Sequence, residues 1–202
     1  MDISEVIGVA REKFSLIQYD EEFIPFVQFI KDKGINSFIE IGTFKGGTMY
    51  VLSKICSGKK ISIDFPNPAF GYSCNGDCTN PNYVDVNKRN TDLAIEFSDI
   101  HLITGDSHEW ETFYKVKDLL DTEKVDLLFI DGDHTYEGVK KDYAMYKQLV
   151  REGGYVAFHD IKDCDFHRLH GCRVDLLWNE LKGDKTEFLS EHPDRGIGII
   201  KT

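Results

Sequence analysis

The sequence predicts an α/β fold: a doubly wound sheet of seven strands, mostly parallel, with an antiparallel hairpin at its C-terminal end. Three observations predict it. Short runs rich in β-branched and aromatic residues alternate with helically periodic stretches from about 36 to 160, the pattern of parallel strands joined by crossover helices. The fourth run, 125–131, is almost continuously apolar, as a strand covered on both faces is. The last two runs, 186–189 and 196–200, have no helical stretch between them and read as a hairpin added to the parallel sheet.

Composition bounds the classes open to such a chain. At 202 residues it fits one domain, 1–202, long enough to bury a substantial core. Its 41% hydrophobic and 29% charged residues are those of soluble globular proteins. A formal charge of −11 argues against nucleic acid as a partner, because that binding depends on Lys and Arg releasing counterions. The start, Met1-Asp2-Ile3-Ser4-Glu5, lacks a basic segment followed by an apolar run, so no secretory signal is expected. No apolar run approaches the roughly 20 residues that span a bilayer, so no membrane partner is expected. Five cysteines, an odd count, point to a reducing cytoplasm.

Taken in order, residues 1–33 read as two helices, the second placing Phe23, Phe26, Val27 and Ile30 at helical spacing and stopping at Gly34. The first strand, 36–41, follows at once. Met49, Leu52, Ile55 and Cys56 make one face of the next helix; Gly58-Lys59-Lys60 breaks it, and 61–64 is the second strand. The stretch 65–88 is rich in Pro, Gly, Asn and aromatics and reads as an irregular loop over the sheet edge. Within it Cys74 and Cys78 form half of a zinc pattern, although reduced, unpaired cysteines are the simpler reading. A helix over 85–97 leads to the third strand, 100–104. The following helix turns Trp110, Phe113, Val116 and Leu120 inward, with Ser107 as its cap. After the fourth strand, a helix carries Val139, Tyr143, Tyr146 and Val150. Gly153-Gly154 ends that helix, and the fifth strand, 155–158, runs into His159-Asp160. A polar loop, 161–173, and a helix over 174–181 precede the final hairpin.

The chemistry gathers at the strand ends. Residues 37–48, Ser-Phe-Ile-Glu-Ile-Gly-Thr-Phe-Lys-Gly-Gly-Thr, form a buried strand ending near an acid, then a glycine turn, then a helix start. A dinucleotide fingerprint needs glycine two positions after Gly42, where Phe44 stands. A phosphate loop ends in Gly-Lys-Ser/Thr, where this turn has Gly46-Gly47-Thr48. The remaining pattern, acid-x-Gly-x-x-x-Gly, resembles the first motif of the class I S-adenosylmethionine-dependent methyltransferases. Asp64, 24 positions after Glu40 at the tip of the second strand, suits a pair of ribose hydroxyls, with a solvated strand end as the alternative. Gly105-Asp106-Ser107 resembles the family's adenine-side turn.

The resemblance sharpens over Leu128-Phe129-Ile130-Asp131-Gly132-Asp133-His134, followed by Gly153-Gly154 and His159-Asp160. From about 36 to 160 the chain is similar to the small-molecule O-methyltransferase branch, relatives of catechol and macrocin O-methyltransferases. That resemblance implies a Rossmann-like fold, S-adenosylmethionine as cofactor and a small-molecule acceptor. It implies cofactor contacts at Glu40, Gly42, Thr43, Gly46, Gly47, Asp64, Asp106, Ser107 and Asp131. It further implies a divalent metal on Asp131, His159 and Asp160. His159 stands where the family has Asp; His suits a softer metal such as Zn or Fe, while Mg prefers oxygen, and the divalent metals considered are Mg, Mn, Zn and Fe. The family's basic Lys falls on His134, so His134, with Asp131 beside it, is the expected catalytic base. A hydroxylase-like relative and a non-catalytic cofactor binder on the same fold stay open, as does a homodimer.

Overall fold

The computed structural model describes residues 2–65 and 84–202. Cys74, Cys78 and most of the expected 65–88 loop lie outside the described residues.

Seven strands form one sheet in the order β3-β2-β1-β4-β5-β7-β6. β1 (Phe38–Ile41), β2 (Lys60–Asp64), β3 (Ile100–Thr104), β4 (Val125–Ile130) and β5 (Val150–His159) are mutually parallel. β6 (Lys185–Leu189) and β7 (Gly196–Lys201) complete the sheet antiparallel, β7 lying between β5 and β6. The expected doubly wound fold with its hairpin is therefore the observed one.

Both faces of the sheet are covered, which is why β4 is apolar from Leu127 to Ile130 and β1 is apolar but for the buried Glu40. On one face lie α1 (Ile3–Phe14), α2 (Asp20–Asp32) and α3 (Gly47–Ile55), packing Phe14, Phe23, Phe26, Val27 and Leu52 against Phe38, Leu127 and Phe129. On the other lie α5 (Trp110–Leu120), α6 (Tyr136–Tyr146) and α8 (Val174–Glu180), packing Phe113, Val116, Tyr146 and Trp178 against Ile39, Leu128, Val156 and Phe158. The alternation of Ile39 and Ile41 with Phe38 along β1 divides that strand between the two cores, as the period-2 geometry of a strand requires.

Several expectations are corrected. Gly153-Gly154 does not end a helix. α6 stops at Tyr146, a 3₁₀ turn covers 147–149, and β5 already begins at Val150. The register against β4 shifts between Val125 and Leu127, so the glycines lie in an irregular strand opening. Lys60 belongs to β2 rather than to a break. The loop 161–173 contains a short helix, α7 (Asp165–Leu169). Trp110 does not face inward but is 58% exposed, and the cap of α5 is Glu109, not Ser107.

The register aligns the strand ends. Ile41 is level with Ile63 on one side and Ile130 on the other. Backbone bonds run one step past the strands, from Gly42 N to the Ile63 carbonyl (2.9 Å) and from Asp131 N to the Ile41 carbonyl (2.8 Å). Gly42, Asp64 and Asp131 are thus brought to one carboxyl edge at the reversal of strand order, where ligands of open α/β sheets bind.

Candidate active site

A cleft of about 790 Å³ opens at this edge. Of the residues singled out from the sequence, Gly42, Asp64, Asp106, Ser107, Asp131, His134 and Asp160 line it. Thr43, Gly47 and Asp131 border a smaller recess of about 40 Å³ behind the turn. Glu40, Gly46 and His159 line neither space, and Glu40 and His159 are buried beneath the edge.

The turn needs its glycines chiefly for internal reasons. Gly42 and Gly46 have φ of 90° and 93°, where a side chain is strained. A Cβ on Gly47 would lie 2.6 Å from the Leu16 Cα. The Thr43 hydroxyl pairs with that of Ser62, tying the turn to β2. Arg89 of α4 (Val86–Glu96) donates to the Phe44 carbonyl at 2.7 Å and pairs with Asp64 in a buried ion pair. Burial pushes the Asp64 carboxyl above the ordinary range, and Arg89 pulls it back. Beneath the turn Glu40 is held well above the ordinary range by burial first, then by Asp131 and Asp64.

The other half of the cleft is a dense cluster of imidazoles and carboxylates. His134 precedes α6, whose N-cap is Thr135. Its two nitrogens stand 3.3 Å from Asp131 Oδ1 and 3.4 Å from Asp160 Oδ2. His159 Nδ1 stands 3.3 Å from Asp131 Oδ1 and 3.0 Å from Asp160 Oδ1. Burial disfavours charge on both histidines, but the two aspartates outweigh it and raise both, His159 strongly. In return the carboxyls of Asp131 and Asp160 are held below the ordinary range in spite of burial.

Five contributors carried no local sequence signal. Glu22, fully buried on α2, lies 3.4 Å from His159 Nε2, and Gln18 Nε2 donates to Asp131 Oδ2 at 3.4 Å. His167 Nδ1 donates to the Lys162 carbonyl at 2.8 Å and turns Nε2 toward Asp160 Oδ1, 3.8 Å away. At the Asp106 end, His108 Nε2 approaches the buried Asp142 at 3.3 Å, and its pKa is raised by that contact. The pairings of Glu22, Gln18 and His108 join residues distant in sequence, and those of His167 depend on the fold of the α7 turn, so no periodicity announces them.

Asp131, His159 and Asp160 place one donor atom each within 4.8 Å of one another, and the buried Asp160 Oδ1, 3.0 Å from His159 Nδ1, receives no well-aligned hydrogen bond. Two carboxylates and an imidazole fit a divalent cation, with His159 tilting the preference toward the transition metals.

The cluster makes stability depend on pH in the metal-free chain. His159 has a raised folded pKa, so its contribution is complete below the unfolded value of about 6.5 and is lost as pH rises through the folded value. Glu40, also raised, acts in the same direction above about 4.3. Asp131 and Asp160, both depressed, contribute above about 3.9 and lose this as pH falls. Urea midpoints should therefore fall on either side of mildly acidic pH. Each whole proton of difference changes stability by about 1.4 kcal/mol per pH unit. Midpoints that rise steadily to pH 9 would contradict this.

Comparison with known proteins agrees with this architecture. A family profile described as "Methyltransferase domain" matches residues 39–161. An uncharacterised protein of Acanthamoeba polyphaga mimivirus is 32% identical over 128 residues, 63% of this chain and 52% of the viral protein. The chain thus spans about half the length of that curated relative. Among solved structures, a putative caffeoyl-CoA O-methyltransferase from Staphylococcus aureus superposes with a TM-score of 0.65 at 16% identity, covering 100% of this chain and 93% of that one. The methyltransferase MycE of mycinamycin biosynthesis, in complex with Mg, SAH and mycinamycin VI, superposes at 0.62 with 15% identity, covering 100% of this chain and 54% of that one.

Proposed function

The chain belongs to the methyltransferase domain family, and from that premise we propose that it transfers the methyl group of S-adenosylmethionine to a hydroxyl oxygen of a small molecule. One observation carries the reading: His134 is held between Asp131 and Asp160 on the wall of a cleft that begins at the glycine turn.

The cofactor would extend from the turn, past Asp64 at the ribose, to Asp106 and Ser107 at the base. Its methyl group would then face the Asp131–His134 end, and the acceptor would enter beside Phe166 and His170 of the α7 region, which also line the cleft. The neutral imidazole of His134 takes the acceptor's proton as its oxygen attacks the methyl carbon in line with the departing sulfur. Asp131 and Asp160 strengthen His134 as a proton acceptor, because the imidazolium formed sits between two carboxylates. The contacts of His134 with Asp131 and Asp160 fix the direction of its imidazole, so positioning supplies much of the rate. Asp131, His159 and Asp160 would hold a divalent cation, whose charge favours the ionised form of the acceptor hydroxyl.

Calorimetry with S-adenosylhomocysteine tests the assignment. Binding is expected, and Asp64→Ala should weaken it by roughly 1.5–3 kcal/mol, since a charged acceptor is lost. The same change leaves Arg89 buried without its partner, so affinity is to be read only on protein that circular dichroism finds folded. Unchanged affinity in Asp64→Ala would remove Asp64 from the ribose, and tight NAD binding would overturn the cofactor.

A further inference from the structure

We propose that His134, Asp160 and Cys172 form a binding site for a thiophilic divalent cation of the zinc class on the wall of the cleft. One nitrogen, one oxygen and one sulfur donor lie within 4.8 Å of one another. They come from three places in the fold: the turn before α6, the end of β5 and the turn after α7. The first and last are bound together by the backbone. Arg173 N donates to the His134 carbonyl at 2.7 Å, and Cys172 N donates to the His167 carbonyl at 2.9 Å. Cys172 is therefore held beside His134 by a fixed turn rather than by a mobile side chain alone.

A second observation points to a cation. Asp160 Oδ1 is buried and receives no well-aligned hydrogen bond, although His159 Nδ1 lies 3.0 Å and Arg195 3.7 Å away, so its lone pairs are available to a cation in the middle of the donor set. All three residues line the cleft, so a fourth coordination position faces open space. Three protein ligands and one open position are the arrangement of reactive zinc sites, with Zn–S of about 2.3 Å and Zn–N of about 2.0–2.1 Å. Magnesium does not favour sulfur, so this set selects against it.

This site differs from the Asp131–His159–Asp160 set, which shares only Asp160, contains no sulfur and includes a histidine that does not line the cleft. Cys172 would bind as thiolate, its proton released to solvent. The occupied site also takes His134. On the reading of His134 as the base, a zinc-class ion and methyl transfer therefore exclude one another, and the ion acts as an inhibitor.

Cobalt(II) is the probe, because a cobalt–thiolate bond adds a charge-transfer absorption that nitrogen and oxygen donors do not. Wild-type protein with Co²⁺ should display that band, Cys164→Ser should keep it and Cys172→Ser should lose it. Cobalt affinity should fall at least about 10-fold in Cys172→Ser, since even outer partners of metal ligands are worth 10–100-fold. His134→Asn, at a half-buried position, should lower affinity similarly and covers the case in which the serine variant does not fold. A wild-type cobalt complex without the band, a band that survives Cys172→Ser, or unchanged affinity in His134→Asn would overturn the site. Binding of S-adenosylhomocysteine to metal-free protein, measured separately, reports on the methyltransferase reading whatever cobalt does.

Discussion

Gly42→Ala is expected to destabilise the protein by about 4 kcal/mol or more, which chemical denaturation would detect as a large drop in midpoint or as failure to fold. Two penalties coincide there. The residue has a φ of 90°, which alone costs a non-glycine residue on the order of 1–3 kcal/mol. In addition, a Cβ would sit 2.0 Å from the Asp131 carbonyl oxygen and 2.4 Å from its carbon. Those atoms are backbone, and the bonds from Gly42 N to Ile63 and from Asp131 N to Ile41 pin both sides of the contact. Gly46→Ala makes the comparison: its φ is 93°, yet the nearest atoms are the side-chain ends of Leu93 and Phe14 at 3.2 and 3.3 Å. It should cost about 1–3 kcal/mol, from the backbone strain alone. Equal costs for the two substitutions would mean that the β1 turn and the end of β4 do not meet as described.

His134→Ala is expected to lower turnover by about 10²–10⁴-fold while leaving cofactor affinity near that of the parent. His134 makes its ion-pair contacts with Asp131 and Asp160 and none with Asp64 or Ser107, which explains the separation of the two effects. The loss should shrink at high pH, where the acceptor ionises without help. His134→Gln, which keeps hydrogen-bonding capacity but cannot accept the proton, should be as slow as the alanine variant. A glutamine variant with parental turnover would assign His134 to positioning and leave the base elsewhere.

The sheet was legible because its signals are local: apolar runs of strand length, helical spacing between them, and no helix before the last strand. The glycine turn and the acids at the strand ends were legible for the same reason, each lying within a few residues of a strand boundary. The start of β5 was not, because Gly153-Gly154 resembles a helix stop, whereas pairing with β4 across an irregular register keeps the segment extended. α7, at five residues, is too short for periodicity to reveal. The supporting layer of the site was hidden for a deeper reason. Glu22 meets His159 across 137 residues and Arg89 meets Asp64 across 25, so only the tertiary fold creates those pairs. His134 and Cys172 likewise become neighbours only once the turn after α7 has folded back onto the segment before α6.

The order of strands at the C-terminal side also bears on how the site comes into being during synthesis. β7 follows β6 in the chain but lies inside it in the sheet, between β6 and β5. Until Gly196–Lys201 has emerged, β5 presents an unpaired apolar edge, with Val156 and Phe158 among its residues. Exposed edges of this kind invite pairing with other chains, and vectorial synthesis prolongs the exposure. His159, level with Ile197, is the last residue of that edge, and Arg195, just before β7, comes within 3.7 Å of Asp160. The reactive corner is therefore completed only after β7 has been made, and a nascent chain that has already made α1 to α8 still lacks it.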